Sequence, residues 1–367
     1  MEVYVSGIAT NWITFQAAPG SSPIIQIPDL GTNAEGGFHI AGASYIKIDG
    51  FEVIGTSKLI TPQQAAFNDG TQAILNSDCV SIDGTGRFPG IKVVHDVIIT
   101  NMKLHDCAGG GVAAQGADAL TITYNQIYGN GFWTVFDTSG IDLFHLTDAP
   151  GSSTQGGYKN VIAGNTVFGN HSNFPSIGFL PVEITDGNGM IIDDNMHMQA
   201  AKGKNDVQGV PYTGRTYIAS NILYSNGGRG IHVYESAHVD IANNTTYNDM
   251  LSNSPGMIFG EIDAQSSADI NIVNNVAINI NNKMIDFNDN SYSYSFNLWD
   301  GSNVPFVGTD DVVGVAMLTD PANANFTPTL SSPAVASGTT TLSPTLDVTG
   351  RVRRTGHIDR GAVQVTP

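Results

Sequence analysis

The chain is poor in charge, poorer still in cations, and nearly without cysteine. Only 13% of its 367 residues are Asp, Glu, Lys or Arg, and the 15 basic side chains face 33 acidic ones, a formal net charge of −18. That imbalance argues against nucleic acid as a partner, because phosphate binding rests on neutralisation by Lys and Arg. A polyanionic ligand, in turn, needs a local basic patch or a bridging cation. No apolar run approaches the roughly 20 residues of a membrane span, so no membrane partner is expected. No leader-like segment opens the chain either. Met1-Glu2-Val3-Tyr4 is already strand-like, which places the natural beginning upstream. Cys79 and Cys107 are too few for a metal site; they either pair in an oxidising compartment or remain as two buried thiols.

What the chain has in quantity is glycine, 42 residues of it, and a beat. An isoleucine stands three residues before an Asn or Asp at Ile46/Asp49, Ile98/Asn101, Ile122/Asn125, Ile162/Asn165, Ile218/Asn221, Ile241/Asn244 and Ile272/Asn275, with a degenerate copy at Tyr294/Asn297. Asn101 and Asn125, Asn221 and Asn244, and Asn275 and Asn297 are 24, 23 and 22 residues apart. Such a period, built from strand-like pieces and turns, is the mark of a stacked solenoid. About 22 residues at ~3.3 Å each run once around a three-sided section, and successive coils pair as parallel ladders ~4.8 Å apart. The fold expected is therefore all-β, a parallel β-helix of about 22–24 residues per coil. Isoleucine suits the inward column. Asparagine suits the corner, because it tolerates left-handed backbone and its amide bonds to its neighbour one coil away. A second corner follows at Asn130, Asn170 and Asn226. These asparagines are structural and carry no chemistry.

The repeats make residues 1–367 one domain. Insertions interrupt them at 57–90, 146–159, 171–188 and 196–213. From about 303 the beat fades into a Ser/Thr/Pro-rich stretch, and Asp347 to Val365 is expected to fold back as the cap a solenoid needs. Insertions in repeat proteins tend to build the binding surface on one face, and three of the four flank residues 140–213.

Two segments resemble a known superfamily. The opening Thr10-Asn-Trp-Ile-Thr-Phe-Gln-Ala-Ala-Pro-Gly-Ser-Ser-Pro-Ile-Ile25 and the coil Gly42-Ala-Ser-Tyr-Ile-Lys-Ile-Asp-Gly-Phe-Glu-Val53 resemble the start of pectate-lyase-like right-handed parallel β-helix proteins. The tail, with Ser332-Pro-Ala-Val-Ala-Ser-Gly338, Asp347, Gly350-Arg351 and Ile358-Asp359-Arg-Gly-Ala362, resembles their closing segment. The resemblance implies right-handed coiling and a secreted, extracellular or periplasmic protein acting on polysaccharide. It does not choose a reaction. The lysine motifs of pectate lyases are not evident, and the Asp193-Asp194 pair is only a loose echo of the polygalacturonase pattern, without Gly-His-Gly or Arg-Ile-Lys.

Aligning coils on a strand-opening glycine brings Gly140-Ile-Asp-Leu-Phe-His145, Gly189-Met-Ile-Ile-Asp-Asp194 and Gly230-Ile-His-Val-Tyr-Glu235 into one column. Period-2 alternation points Ile141/Leu143, Met190/Ile192 and Ile231/Val233 inward. Outward then stand Asp142, Asp193 or Asp194, His232 and Glu235, with His145 beside them and Glu261 or Asp263 one coil on. These are the candidate catalytic groups. Paired carboxylates at Asp193 and Asp194 suit a divalent cation such as Ca²⁺, which would acidify the C5 proton of a bound uronate for β-elimination. Adjacent residues on a strand face opposite ways, so this pairing requires a bulge. Two acids also suit a glycoside hydrolase, one protonating the leaving oxygen and the other attacking or activating water. Arg215 and Arg229 are candidates to grip a substrate carboxylate, Lys202 and Lys204 to reach over Asp194 from their insertion, and Trp133 to stack on a sugar, with Phe132, Tyr212, Tyr217 and Tyr234 nearby. The expected function is a monomeric, cation-assisted polysaccharide lyase for an acidic glycan. The alternatives are a glycoside hydrolase using paired carboxylates, or a non-catalytic, tail-spike-like glycan-binding module.

Overall fold

A computed structural model describes residues 1–28, 36–85, 93–177, 183–199, 209–252, 260–281, 292–305 and 307–365. Among these, strands recur in a fixed cycle of three walls. Wall 1 has eight strands, Glu2–Val3, Gly36–Ala41, Asp78–Asp83, Val112–Gln115, Ile141–Phe144, Met190–Asp193, Ile231–Tyr234 and Ile262–Gln265. Walls 2 and 3 have nine and ten, and within all three walls each strand pairs in parallel with its counterparts in the neighbouring coils. The chain is a parallel β-helix, the architecture its period predicts.

The register shows why these residues stack. On wall 2, Ile48, Ile99, Ile122, Ile162, Ile218, Ile241 and Ile272 share one inward column, each without solvent exposure. Each such side chain contributes roughly 1.5–3 kcal/mol of burial. Three residues on, Asn125, Asn165, Asn221, Asn244, Asn275 and Asn297 form a buried ladder. Each side-chain oxygen accepts both the backbone N–H and the side-chain amide of the preceding member, and Asp311 closes the series. Two pairs fall one or two residues out of this register. Ile48 and Ile99, rather than Ile46 and Ile98, occupy the isoleucine column, and Asn101 precedes the ladder position, which Met102 fills. The left-handed residue at the corner is the one before the ladder asparagine: Asn101, Tyr124, Ser220, Asn243 and Asn274 all have φ between 52° and 59°. The second ladder, Asn130, Asn170 and Asn226, forms as the spacing indicates and ends on Asp249.

Cys79 and Cys107 are joined as a buried disulfide across successive coils, with Cα atoms 5.5 Å apart. The tail lies along the outside of the later coils. Leu342 O accepts from Tyr217 Oη, Asn243 Nδ2 donates to Asp359 O at 2.8 Å, and Arg360 donates to Asn297 O at 2.6 Å. The insertions leave the corners on both sides of wall 1. Residues 57–77, 131–139, 171–177 and 183–188 lie between walls 3 and 1, while 145–159, 194–199 and 209–215 lie between walls 1 and 2. The outer face of wall 1 thereby becomes the floor of a groove.

Candidate functional site

The floor is set by strand register. One outward column reads Ser81, Ala113, Asp142, Ile191, His232, Asp263, and the next reads Asp83, Gln115, Phe144, Asp193, Tyr234, Gln265. The intervening Ile141, Leu143, Met190, Ile192, Ile231 and Val233 are fully buried, as alternation requires. A groove of about 1050 Å³ runs over these columns and includes Asp142, Asp193, Arg229 and His232 in its lining. Asp193 sits one coil on and two residues along from Asp142, which puts their Cα atoms roughly 8 Å apart.

Asp142 is the most perturbed group on the floor. It keeps some exposure to the groove, yet its Oδ1 is buried and accepts no hydrogen bond from the described residues. Burial, reinforced by the carboxylates of Asp186, Asp78 and Asp137, holds its titration well above the ordinary range. Asp186 is itself pushed up to about 7 by burial and by Asp137. Hydrogen bonds fix this cluster: Thr185 Oγ1 donates to Asp137 at 2.8 Å, Asn188 Nδ2 to Asp186 at 2.5 Å, and Gly110 N to Asp78 at 2.6 Å. Asp193 Oδ1 accepts Gln199 Nε2 at 2.7 Å.

Three coils beyond Asp142, a second cluster centres on Asp263. Its Oδ2 accepts Arg229 Nε at 3.0 Å and Gln265 Nε2 at 2.9 Å, and lies 3.2 Å from His232 Nδ1. Burial and the neighbouring Arg229 lower the His232 titration despite Asp263, so the ring is neutral at neutral pH. Arg229 also donates to Thr185 O at 2.8 Å. Its guanidinium thus ties Asp263 to the loop that carries Asp186.

Other sequence candidates lie elsewhere. Asp194 does not join Asp193, because no bulge turns it outward. It occupies the left-handed corner after the strand with φ 49°, in line with His145 (53°), Glu235 (47°) and Ser266 (51°). Asp194 is wholly buried, and its Oδ1 accepts the backbone N–H groups of Met198 and Gln199 at 2.6 and 3.1 Å. Glu235 is wholly buried at the same corner. Asp193 and Asp194 therefore do not converge as a cation site, and among the described residues no group of three or more His, Cys, Asp or Glu is arranged to hold a metal. Arg215 is on the wall 2 side, paired with Asp240 at 2.8 Å and with Asp269. Trp133 is packed beside Ile60, Ala65 and Leu75 in the 57–77 insertion, its indole N–H donating to Ser57 O at 2.7 Å. Lys202 and Lys204 lie outside the described residues. Sequence reasoning missed Asp78, Asp137 and Asp186. Asp137 and Asp186 stand in insertions, where no column aligns them, and Asp78 opens a wall 1 strand at the edge of the 57–77 insertion, outside the glycine-aligned segments.

No protein-family model and no curated protein sequence matches the chain. Among solved structures, pectate lyase Pel9A is similar with a TM-score of 0.50 at 14% identity, over 100% of this chain and 83% of that one. A PL6 alginate lyase in complex with a trisaccharide gives 0.46 at 13% identity over 88% and 60%, and a rhamnogalacturonan lyase 0.44 at 15% over 90% and 80%. At these identities the likeness is one of fold: the chain has the parallel β-helix of pectate-lyase-like proteins. No helix is long and apolar enough to cross a membrane among the described residues.

Proposed function

We propose that the chain is a polysaccharide-degrading enzyme whose active site is the wall 1 groove, and that it cleaves glycosidic bonds by hydrolysis. The observation that carries this reading is Asp142, a carboxyl group on the floor of an open groove whose titration is raised by burial and by three neighbouring carboxylates, which favours the protonated acid. A protonated acid there donates to the glycosidic oxygen as the bond breaks. Asp193, roughly 8 Å away between Cα atoms, faces the same groove and serves as the base that activates water. Two carboxyl groups facing one groove from neighbouring coils suit an acid and base pair, one donating to the glycosidic oxygen and the other activating water. Thr185, Asn188 and Arg229 act as positioning residues by fixing Asp137, Asp186 and the Thr185 backbone beside it.

One observation favours a second reading, β-elimination. His232 is neutral, buried beside Asp263, and in the same column as Asp142, which suits it to remove a proton. Product chemistry separates the two. Hydrolysis releases reducing ends without ultraviolet absorbance, whereas elimination leaves a conjugated, absorbing uronate. Incubation with neutral and uronate polysaccharides, with and without chelator, is expected to give non-absorbing reducing ends that are lost in Asp142→Asn. An absorbing product that survives Asp142→Asn but not His232→Gln transfers the proposal to elimination. No product from any polymer overturns both.

A further inference from the structure

Part of the described groove wall is apolar, and its placement is not explained by packing alone. Phe136 is 47% exposed and Ile177 58% exposed, and both line the groove. Phe136 directly precedes Asp137, one of the carboxylates that raise the Asp142 titration. Its backbone is fixed rather than draped: Phe136 N donates to Thr134 Oγ1 at 3.1 Å, Thr134 Oγ1 donates to Asn76 at 2.8 Å, and Ile177 N donates to Val135 O at 3.0 Å. Gly70, at φ +83°, closes against the pair; a Cβ there would meet the tip of Phe136 and the Cδ1 of Ile177, each at 3.0 Å. The chain thus holds a bare aromatic ring and an aliphatic tip together at a groove edge, where water gains nothing from them.

We propose that Phe136 and Ile177 form the apolar wall of a sugar-binding subsite beside Asp142, and that this subsite takes an uncharged pyranose ring. The inference rests on the hydrolytic reading above and adds the substrate class. A pyranose presents a C–H face that covers an aromatic ring, and hydroxyl edges that donate to carboxylates. The groove supplies both, with Asp78, Asp83, Asp137, Asp142, Asp186 and Asp193 in its described lining against one guanidinium, that of Arg229, already on Asp263. A uronate carboxylate entering there meets charge of its own sign.

Asp142→Asn, the neutral isostere of the protonated acid, provides a background in which binding is read without turnover. Affinity electrophoresis of this variant through gels containing xylan, galactan, β-glucan, polygalacturonate or alginate is expected to show retardation by at least one neutral polymer. Adding Phe136→Ala should weaken that retardation by about tenfold or more, Phe136→Trp should restore it, and the unfolding midpoint should not move. Retardation that is unchanged by Phe136→Ala, or that occurs only with the two polyuronates, overturns the subsite while leaving a glycan enzyme standing. If no polymer retards the variant and the wild type releases no reducing ends, the hydrolytic reading fails and the subsite with it.

Discussion

Replacing Asp249 by Asn should make the protein more tolerant of alkaline pH. Asp249 closes the second ladder: its Oδ1 accepts Asn226 N at 2.7 Å and Asn226 Nδ2 at 2.8 Å. In earlier coils the residue facing this corner from wall 1 is a glycine, and a Cβ at Gly140 or Gly189 would come within 2.8 or 2.9 Å of the ladder amide. At the last of these coils the position is Glu261, whose Oε1 accepts Asp249 N at 3.1 Å. Two wholly buried carboxyl groups therefore meet at the end of the ladder, where Glu261 accepts the backbone N–H that a further ladder amide would otherwise take. Burial pushes Asp249 up to about 7, and burial together with Asp249 pushes Glu261 well above its ordinary range. Because both titrations are raised in the folded state, the associated stability is present in full below about pH 4 and is lost as pH rises through about 7. Each pH unit is worth about 1.4 kcal/mol, so moving Asp249 from 3.8 to about 7 sets an upper scale of about 4 kcal/mol for the loss. In Asp249→Asn the oxygen still closes the ladder, and the amide donates to Glu261 and supports its ionised form. Urea unfolding at pH 5, 6, 7 and 8 should show the variant gaining on the wild type by a few kcal/mol across the series. A stability difference that stays constant from pH 5 to pH 8 would refute the shared-proton account.

Four further outcomes follow from the same structure. Asp142→Asn and Asp193→Asn should each lower kcat by roughly 10²–10⁴-fold with little effect on folding, measured as reducing ends released. Asp194→Ala should instead cost about 1–3 kcal/mol of stability, because the Met198 and Gln199 amides lose their acceptor. Activity should fall on the alkaline side as Asp142 loses its proton, and Asp186→Asn, by removing a charge that raises Asp142, should move that limb to lower pH. Reduction of Cys79–Cys107, which closes a 28-residue separation, should cost roughly 3–4 kcal/mol, read from unfolding midpoints with and without reductant.

The coil, its ladders and the groove floor were legible because each is a column, and a column shows in sequence as a spacing. Ile141/Leu143, Met190/Ile192 and Ile231/Val233 point inward, and Asp142, Asp193 and His232 share a face, as the glycine alignment implies. The corner after the strand was not read. Gly116 (φ 61°) and Ser266 align with Asp194 and Glu235, and extending the alignment through that glycine marks the position as a left-handed corner rather than a continuation of the strand. Arg215 has the right chemistry at the wrong corner, since it precedes a wall 2 strand. Asp78, Asp137 and Asp186 belong to segments whose paths depend on tertiary contacts. Trp133 illustrates the same limit: its indole is drawn into the 57–77 insertion, while Phe136, three residues later, is left facing the groove.

The protonation state of Asp142 is the most direct test of the account. Difference infrared spectra of the wild type minus Asp142→Asn, recorded from pH 5 to pH 8, should show a protonated-carboxyl C=O band at neutral pH that the variant lacks. A difference spectrum showing only a carboxylate band at pH 7 would mean that Asp142 is already ionised, and the groove would then have lost its proposed acid.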